Sequence, residues 1–194
     1  MAAPGDTYER ELKSLLTGER KAVSKMVKTC DAQESASYGS IEGNPFLVIR
    51  AAGSHGVDLV ALRWDFSFPI EVKSSSEDVM HFSKSARLIE QGDRMLETCR
   101  MSMLAPIYAF RLKGVRGDPW RMFTMPMASA PRGSSEALWR RLPKLEVTAG
   151  GNYVMRWADG MKLSEFVHFM EAHSAVSDGI REEGRGPGEA SPDC

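Results

Sequence analysis

The chain has 194 residues, of which 42% are hydrophobic and 26% are charged, a composition typical of one globular domain that buries its own core. A net charge of −1 argues against an obviously basic nucleic-acid-binding protein, and no apolar run approaches the roughly 18 residues of a membrane-spanning helix. The three cysteines, Cys30, Cys99 and Cys194, form no CxxC pair or zinc spacing, and such an odd and sparse set is typical of a protein in a reducing compartment. The N-terminus lacks signal-peptide features, so we predict a cytoplasmic protein with no membrane segment.

The charge is distributed unevenly along the chain. Residues 165–194 have a net charge of −5, which leaves +4 for residues 1–164 and makes the body compatible with a phosphate-binding face. From Ser177 onward the chain is rich in Gly, Glu and Pro and nearly free of apolar residues. We therefore predict a folded domain over residues 1–175 and a disordered acidic tail over 176–194.

Hydrophobic periodicity predicts an α/β domain built on a mixed sheet. The first helix is expected over residues 7–16, and the polar segment 29–44 is predicted to be a loop. Later helices are expected at 83–101, 134–142 and 163–173, the last of them amphipathic. Strands are expected at 46–50, 57–62, 68–73, 106–112, 120–125 and 152–157.

The stretch GSHGVDLVALRWDFSFPIEVKSSS, residues 53–76, contains the candidate chemistry. Glu71 and Lys73 are two residues apart in a predicted strand, so their side chains project from the same face. Antiparallel pairing through RWDFS would bring Asp58 close to Glu71. Two converging carboxylates bind a hard cation such as Mg²⁺, which can stabilise charge on a scissile phosphate. An adjacent lysine can orient the attacking water or neutralise developing charge.

A simpler interpretation competes with this one. A Glu-x-Lys pair on a strand edge is usually a solvated ion pair of little energetic weight. Here the acids lie in or beside strongly apolar strands, where solvated charges are uncommon. On these residues alone, the nuclease site and the solvated pair both remain open. Glu9, on the first predicted helix, is a candidate third carboxylate.

Three segments resemble the archaeal Holliday junction resolvases of the PD-(D/E)XK nuclease superfamily. They are YERELKSLL at 8–16, FLVIRAAGSHGVDLVAL at 46–62 and PIEVKSSS at 69–76, with weaker similarity in PIYAFRL and GNYV. The resemblance implies a restriction-endonuclease-like fold, with a mixed central sheet flanked by helices, and a homodimer. It also implies Mg²⁺-dependent paired nicking of four-way DNA junctions in recombination and repair. Mn²⁺ would be a substitute ion, and replication or repair proteins are candidate partners.

The resemblance also implies roles for individual residues. Glu9, Asp58 and Glu71 match the metal-binding acids, and Lys73 matches the catalytic lysine. Ser54 lies in the GSHG loop, which is close to the substrate in the family, and is a further catalytic and DNA-binding candidate.

The expected DNA contacts are basic. Arg10 and Arg50 match arginines that face DNA or the catalytic site, since a guanidinium fork suits phosphate oxygens. We expect His55 to be an exposed loop residue at the DNA rather than a general base. Further basic residues line a DNA path or an ordinary solvated surface: Lys84, Arg87, Arg94, Arg100, Arg111, Lys113, Arg116 and Arg121, then Arg132, Arg140, Arg141 and Lys144.

The chain also departs from the family. Residues 17–45 form a longer connection, predicted as an extended or inserted loop or helix, and the helix after Lys73 lacks the usual aromatic residues. Two alternatives therefore remain beside the resolvase. One is a related nuclease with another DNA substrate, and the other is an idle DNA-binding module.

Overall fold

The computed structural model describes residues 4–51 and 56–183, with side chains over 7–51 and 56–174. The helices are α1 (Pro4–Leu16), α2 (Arg20–Met26), α3 (Ala32–Ser40), α4 (Ala86–Ser102), α5 (Ser134–Arg141) and α6 (Leu163–Glu183). The strands are β1 (Leu47–Arg50), β2 (Leu59–Leu62), β3 (Ser67–Ser75), β4 (Val79–His81), β5 (Ile107–Leu112), β6 (Trp120–Thr124), β7 (Glu146–Val147), β8 (Tyr153–Arg156) and β9 (Met161–Lys162).

The main sheet has six strands in the order β1-β2-β3-β5-β6-β9. The central pair β3–β5 is parallel and the other neighbouring strands are antiparallel. A parallel pair needs a long crossover, and here the connection contains α4. The predicted α/β class, with a mixed central sheet flanked by helices, is confirmed.

The two faces of this sheet pack against different helices. On one face, Ile70 of β3 belongs to a buried cluster with Leu12 of α1 and Phe166 of α6. On the other face, Tyr108 of β5 packs in a second cluster with Met95 of α4. Because side chains alternate along a strand, Glu71 and Lys73 point toward the α4 face.

The segment 17–45 is largely helical. The prediction of a loop over 29–44 is wrong for α3. The sequence of this helix, AQESASYGS, is short and polar and has no apolar stripe that would have indicated a helix. Asp31 accepts a hydrogen bond of 2.8 Å from the Glu34 amide, and the Glu34 carboxylate accepts one of 3.1 Å from the Asp31 amide. This reciprocal capping box stabilises the first turn of α3.

Short strands and the last helix also differ from the predictions. A second sheet of three strands has the order β4-β8-β7, and only β8 was predicted. Helix α6 continues through Glu183, past the predicted end at 173 and into the predicted disordered tail. The remainder of that tail, 184–194, lies outside the described residues. Within the described ranges, no helix has the length and apolar character to cross a lipid bilayer.

Candidate active site

The hairpin of β2 and β3 brings Asp58 to Glu71. The Asp58 amide donates a hydrogen bond of 2.9 Å to the Ile70 carbonyl. Asp58 Oδ2 accepts one of 2.7 Å from the amide of Val72, which lies between Glu71 and Lys73. The antiparallel pairing predicted through RWDFS is confirmed.

Lys73 is held between two side chains. Its Nζ donates to Glu71 Oε1 at 2.5 Å and to Gln91 Oε1 of α4 at 3.1 Å. The Glu71 side chain is 2% exposed, and its Oε2 is buried with no hydrogen-bond partner among the described residues. A buried carboxylate oxygen without a donor is costly, so it is expected to be satisfied by a bound cation or by a proton that Glu71 shares with Asp58, whose side chain is within hydrogen-bond reach.

The two central acids hold their protons more strongly than ordinary carboxyls. Burial raises the pKa of Glu71; the Lys73 ammonium opposes this, and the Asp58 charge adds to it. Burial also raises the pKa of Asp58, where the bond from Val72 opposes the shift and the Glu9 charge adds to it. Desolvation and mutual repulsion therefore outweigh the attraction to Lys73.

The carboxylate oxygens of Asp58 and Glu71 are the kind of ligands that a hard cation prefers. Within residues 4–51 and 56–183, no group of three or more His, Cys, Asp or Glu side chains is arranged to hold a metal ion. Mg²⁺, however, commonly uses one or two carboxylates and keeps several waters. Asp58 and the unpartnered oxygen of Glu71 supply such a pair, whereas a ligand role for Glu9 stays a prediction.

Glu9 and Arg50 lie at the same edge of the sheet as Asp58. Arg50 Nη2 donates to Glu9 Oε2 at 2.6 Å, with 38% of the Arg50 side chain exposed. The Glu9 charge contributes to the raised pKa of Asp58, which places it within electrostatic reach. Arg10, the next residue on α1, lines a groove between α1 and α2. Ser54 and His55 lie outside the described residues.

Helix α4 supplies residues that sequence analysis did not assign to the site. A pocket of about 290 Å³ is lined by Asp58 and Glu71 and by four α4 residues, Arg87, Glu90, Gln91 and Arg94. The two arginines were predicted only as members of a basic cluster, and Gln91 was missed. The four α4 residues follow the i, i+3, i+4, i+7 spacing of one helix face, and this polar face was the sequence feature from which their shared location could have been predicted.

A glycine allows α4 to approach Asp58 closely. Gly56 has a φ of 69°, and a Cβ at this position would lie 2.6 Å from the Gln91 carbonyl oxygen. Only glycine tolerates both the left-handed backbone and this contact. The backbone of Gly56 and the backbone of α4 at Gln91 are therefore packed directly against each other.

Comparisons with known proteins found similarity among solved structures. No protein-family model and no curated protein matches the chain. Among solved structures, the chain is similar to Hjc of Archaeoglobus fulgidus, a Holliday junction resolvase from an archaeal hyperthermophile. The TM-score is 0.46 at 20% sequence identity, over 86% of this chain and 97% of that chain.

Proposed function

We propose that this protein is a metal-dependent endonuclease that resolves four-way DNA junctions by paired nicks. One observation carries the proposal: the buried carboxylate of Glu71 bonds Lys73 through Oε1 and interacts with the carboxylate of Asp58, and no donor among the described residues reaches its Oε2. The resolvase-like motifs around Glu9, Asp58 and Glu71 support the choice of a junction substrate and a role in recombination and repair.

Each residue has a part in the proposed reaction. Asp58 and Glu71 would hold Mg²⁺, or Mn²⁺ as a substitute, and the bound ion would stabilise the negative charge that develops on the scissile phosphate. Lys73, oriented by Glu71 and Gln91, would position the attacking water and neutralise developing charge. Arg50, held by Glu9, would contact a neighbouring phosphate through its guanidinium fork.

Paired nicks need two active sites, and a second copy of the chain would supply the other. Leu47 and Ile49 on edge strand β1 are 64% and 50% exposed. Ile49 pairs with Val60, and Val60 pairs with Pro69, so the three side chains lie on one face of the sheet. Glu71 is two residues after Pro69 in the same strand, so it also lies on this face. A two-fold dimer covering it would present two sites to opposite strands. Ile49→Asp should then lower the sedimentation coefficient from dimer to monomer, whereas the exposed Lys28→Asp should not.

The proposal is tested by cleavage of a labelled four-way junction beside matched linear duplex, with Mg²⁺ and with chelator. Symmetric nicks in the junction alone, dependent on metal, are expected. Glu71→Gln should abolish cutting and leave junction binding near normal, since it removes a charge but preserves the side-chain shape. Retained cleavage by this variant would contradict the assignment of the site.

The same experiment separates the alternatives. Equal cutting of linear duplex would keep the metal chemistry and identify a nuclease with another DNA substrate. Binding without cutting, together with no calorimetric Mg²⁺ binding, would identify an idle DNA-binding module.

A further inference from the structure

A second basic feature lies between α1 and α2, outside the pocket at Asp58. It is a groove of about 450 Å³ whose cationic lining residues are Arg10, Lys21, Lys25 and Arg111 and whose acidic ones are Glu11 and Glu19. Along α1 the lining residues Thr7, Arg10, Glu11 and Ser14 follow the i, i+3, i+4, i+7 spacing of one helix face. Helix α2, within the extended segment 17–45, forms the opposite wall.

One acidic residue of the groove is engaged internally. Glu11 Oε1 accepts from Arg111 Nε at 2.8 Å and from Trp120 Nε1 at 3.0 Å. The Arg111 guanidinium carbon also lies 4.8 Å from the centre of the Tyr8 ring. Arg111 and Glu11 therefore largely neutralise each other's charge, and their ion pair connects α1 to β5 beneath the groove.

The two lysine side chains of α2, Lys21 and Lys25, are exposed to solvent and are not neutralised by a salt bridge among the described residues. They are four residues apart on one helix, so their ammonium groups repel each other. An anion bound between the helices would relieve this repulsion.

The groove and the proposed active site adjoin neighbouring residues of β3 and β5, on opposite faces of the sheet. Adjacent α1 residues serve both, because Glu9 contacts Arg50 at the site and Arg10 lines the groove. Arg111 is paired across the parallel strands with Ser74, the residue after Lys73, so its side chain points to the opposite face of the sheet from Lys73, toward α1. Helix α1, with 13 residues, is about 20 Å long, roughly half a turn of DNA duplex.

We propose that the α1–α2 groove binds the sugar–phosphate backbone of a duplex DNA arm as it leaves the active site. This inference rests on the proposed function and assigns a role to the extended segment 17–45. The contacts are electrostatic and independent of base sequence, because lysine and arginine side chains meet phosphate oxygens.

The test measures binding of the full-length protein to labelled junction DNA by fluorescence anisotropy in chelator over a series of salt concentrations. The Lys21→Ala/Lys25→Ala variant should bind more weakly, with the salt slope of log K reduced by about 2, or about 1 for Lys25→Ala alone. Lys28→Ala is the matched control. Lys28 is also exposed, belongs to the same segment and is outside the groove lining, so its slope should match wild type.

Arm length adds a second readout. The deficit of the double variant should be present on junctions with long arms and absent on junctions whose arms are too short to leave the active site. Circular dichroism should show an unchanged fold, since both lysines are exposed.

The outcomes distinguish this inference from the proposed function. Wild-type protein that binds no DNA would overturn both. Wild-type protein that binds and cuts junctions, with a double variant indistinguishable from it, would overturn the groove alone. An equal loss in Lys28→Ala would assign the effect to general surface charge and would likewise overturn the groove.

Discussion

Asp58 accepts a hydrogen bond of 2.7 Å from the backbone amide of Val72, and this bond fixes the start of β2 against the residue that separates Glu71 from Lys73. The carboxylate of Asp58 therefore has a structural role in addition to its proposed chemical one. Since a carboxylate has two oxygens, the bond to Val72 leaves the second oxygen available to a ligand.

The two roles of Asp58 are separable by substitution. Asp58→Asn retains an oxygen acceptor for the Val72 amide, whereas Asp58→Ala leaves that amide without a partner. We expect the alanine variant to unfold in urea with a free energy about 1 kcal/mol lower than the asparagine variant, the usual net value of one hydrogen bond. Both variants should lose Mg²⁺ binding. Equal stability of the two would show that the bond contributes nothing.

Glu71 is expected to cost stability at neutral pH. Its folded-state pKa is raised by burial, so its contribution is favourable below the ordinary glutamate pKa and is lost as pH rises through the raised value. Glu71→Gln carries no charge and should therefore melt at a higher temperature than wild type at pH 7. The difference should shrink toward pH 4, as followed by thermal unfolding across that range. If Glu71→Gln melted at a lower temperature than wild type at pH 7, the inference that the Glu71 charge destabilises the fold would be wrong.

Magnesium should stabilise the folded protein. A ligand at about 100 times its Kd adds about 2.7 kcal/mol, or roughly 5–10 °C in Tm for a chain of this length. The shift should decline on acidification earlier than for ordinary carboxyls, because burial raises the pKa of both Asp58 and Glu71. Glu71→Gln should abolish the shift, and Glu97→Gln, at an exposed site on α4, should retain it. A full shift at pH 4 would argue against these ligands.

Gln91 is expected to act as a positioning residue through Lys73. Gln91→Ala removes one of the two acceptors of the Lys73 ammonium and should lower kcat about tenfold, less than the roughly 10²–10⁴-fold contribution of a general acid–base group, because Glu71 still holds Lys73. KM should change little, because Gln91 is not assigned a DNA contact. Glu97→Ala on the exposed side of the same helix is the control. A rise in KM with unchanged kcat would instead place Gln91 in DNA binding.

The parts of the site that sequence could predict are local. The pairing of Asp58 with Glu71 follows from one hairpin, and the shared direction of Glu71 and Lys73 follows from strand alternation. Gln91 could not be predicted in the same way, because its position depends on how α4 crosses from β3 to β5. Arg10, predicted to contact DNA or the catalytic face, lines the α1–α2 groove, because one residue along a helix is a turn of 100° from Glu9.

Weak local signals explain the errors in the fold. The loop prediction for α3 missed the Asp31–Glu34 capping box, since the helix itself has no continuous apolar stripe. Strands β7 and β9 have two residues each, too few for alternation to be visible. They exist because β8 and β6 lie beside them, which is a tertiary effect.

The turn between β2 and β3 is bonded tightly at the end of the hairpin far from the pocket. The Arg63 amide donates to the Phe66 carbonyl at 2.8 Å, and the buried Arg63 guanidinium contacts Asp65 at 2.7 Å and Glu171 of α6 at 2.5 Å. Adding or removing one residue here would shift β3 by one position and turn Glu71 and Lys73 toward the opposite face of the sheet. The length of this turn therefore determines which side of the sheet carries the Glu71 and Lys73 side chains, although none of its residues lines the pocket.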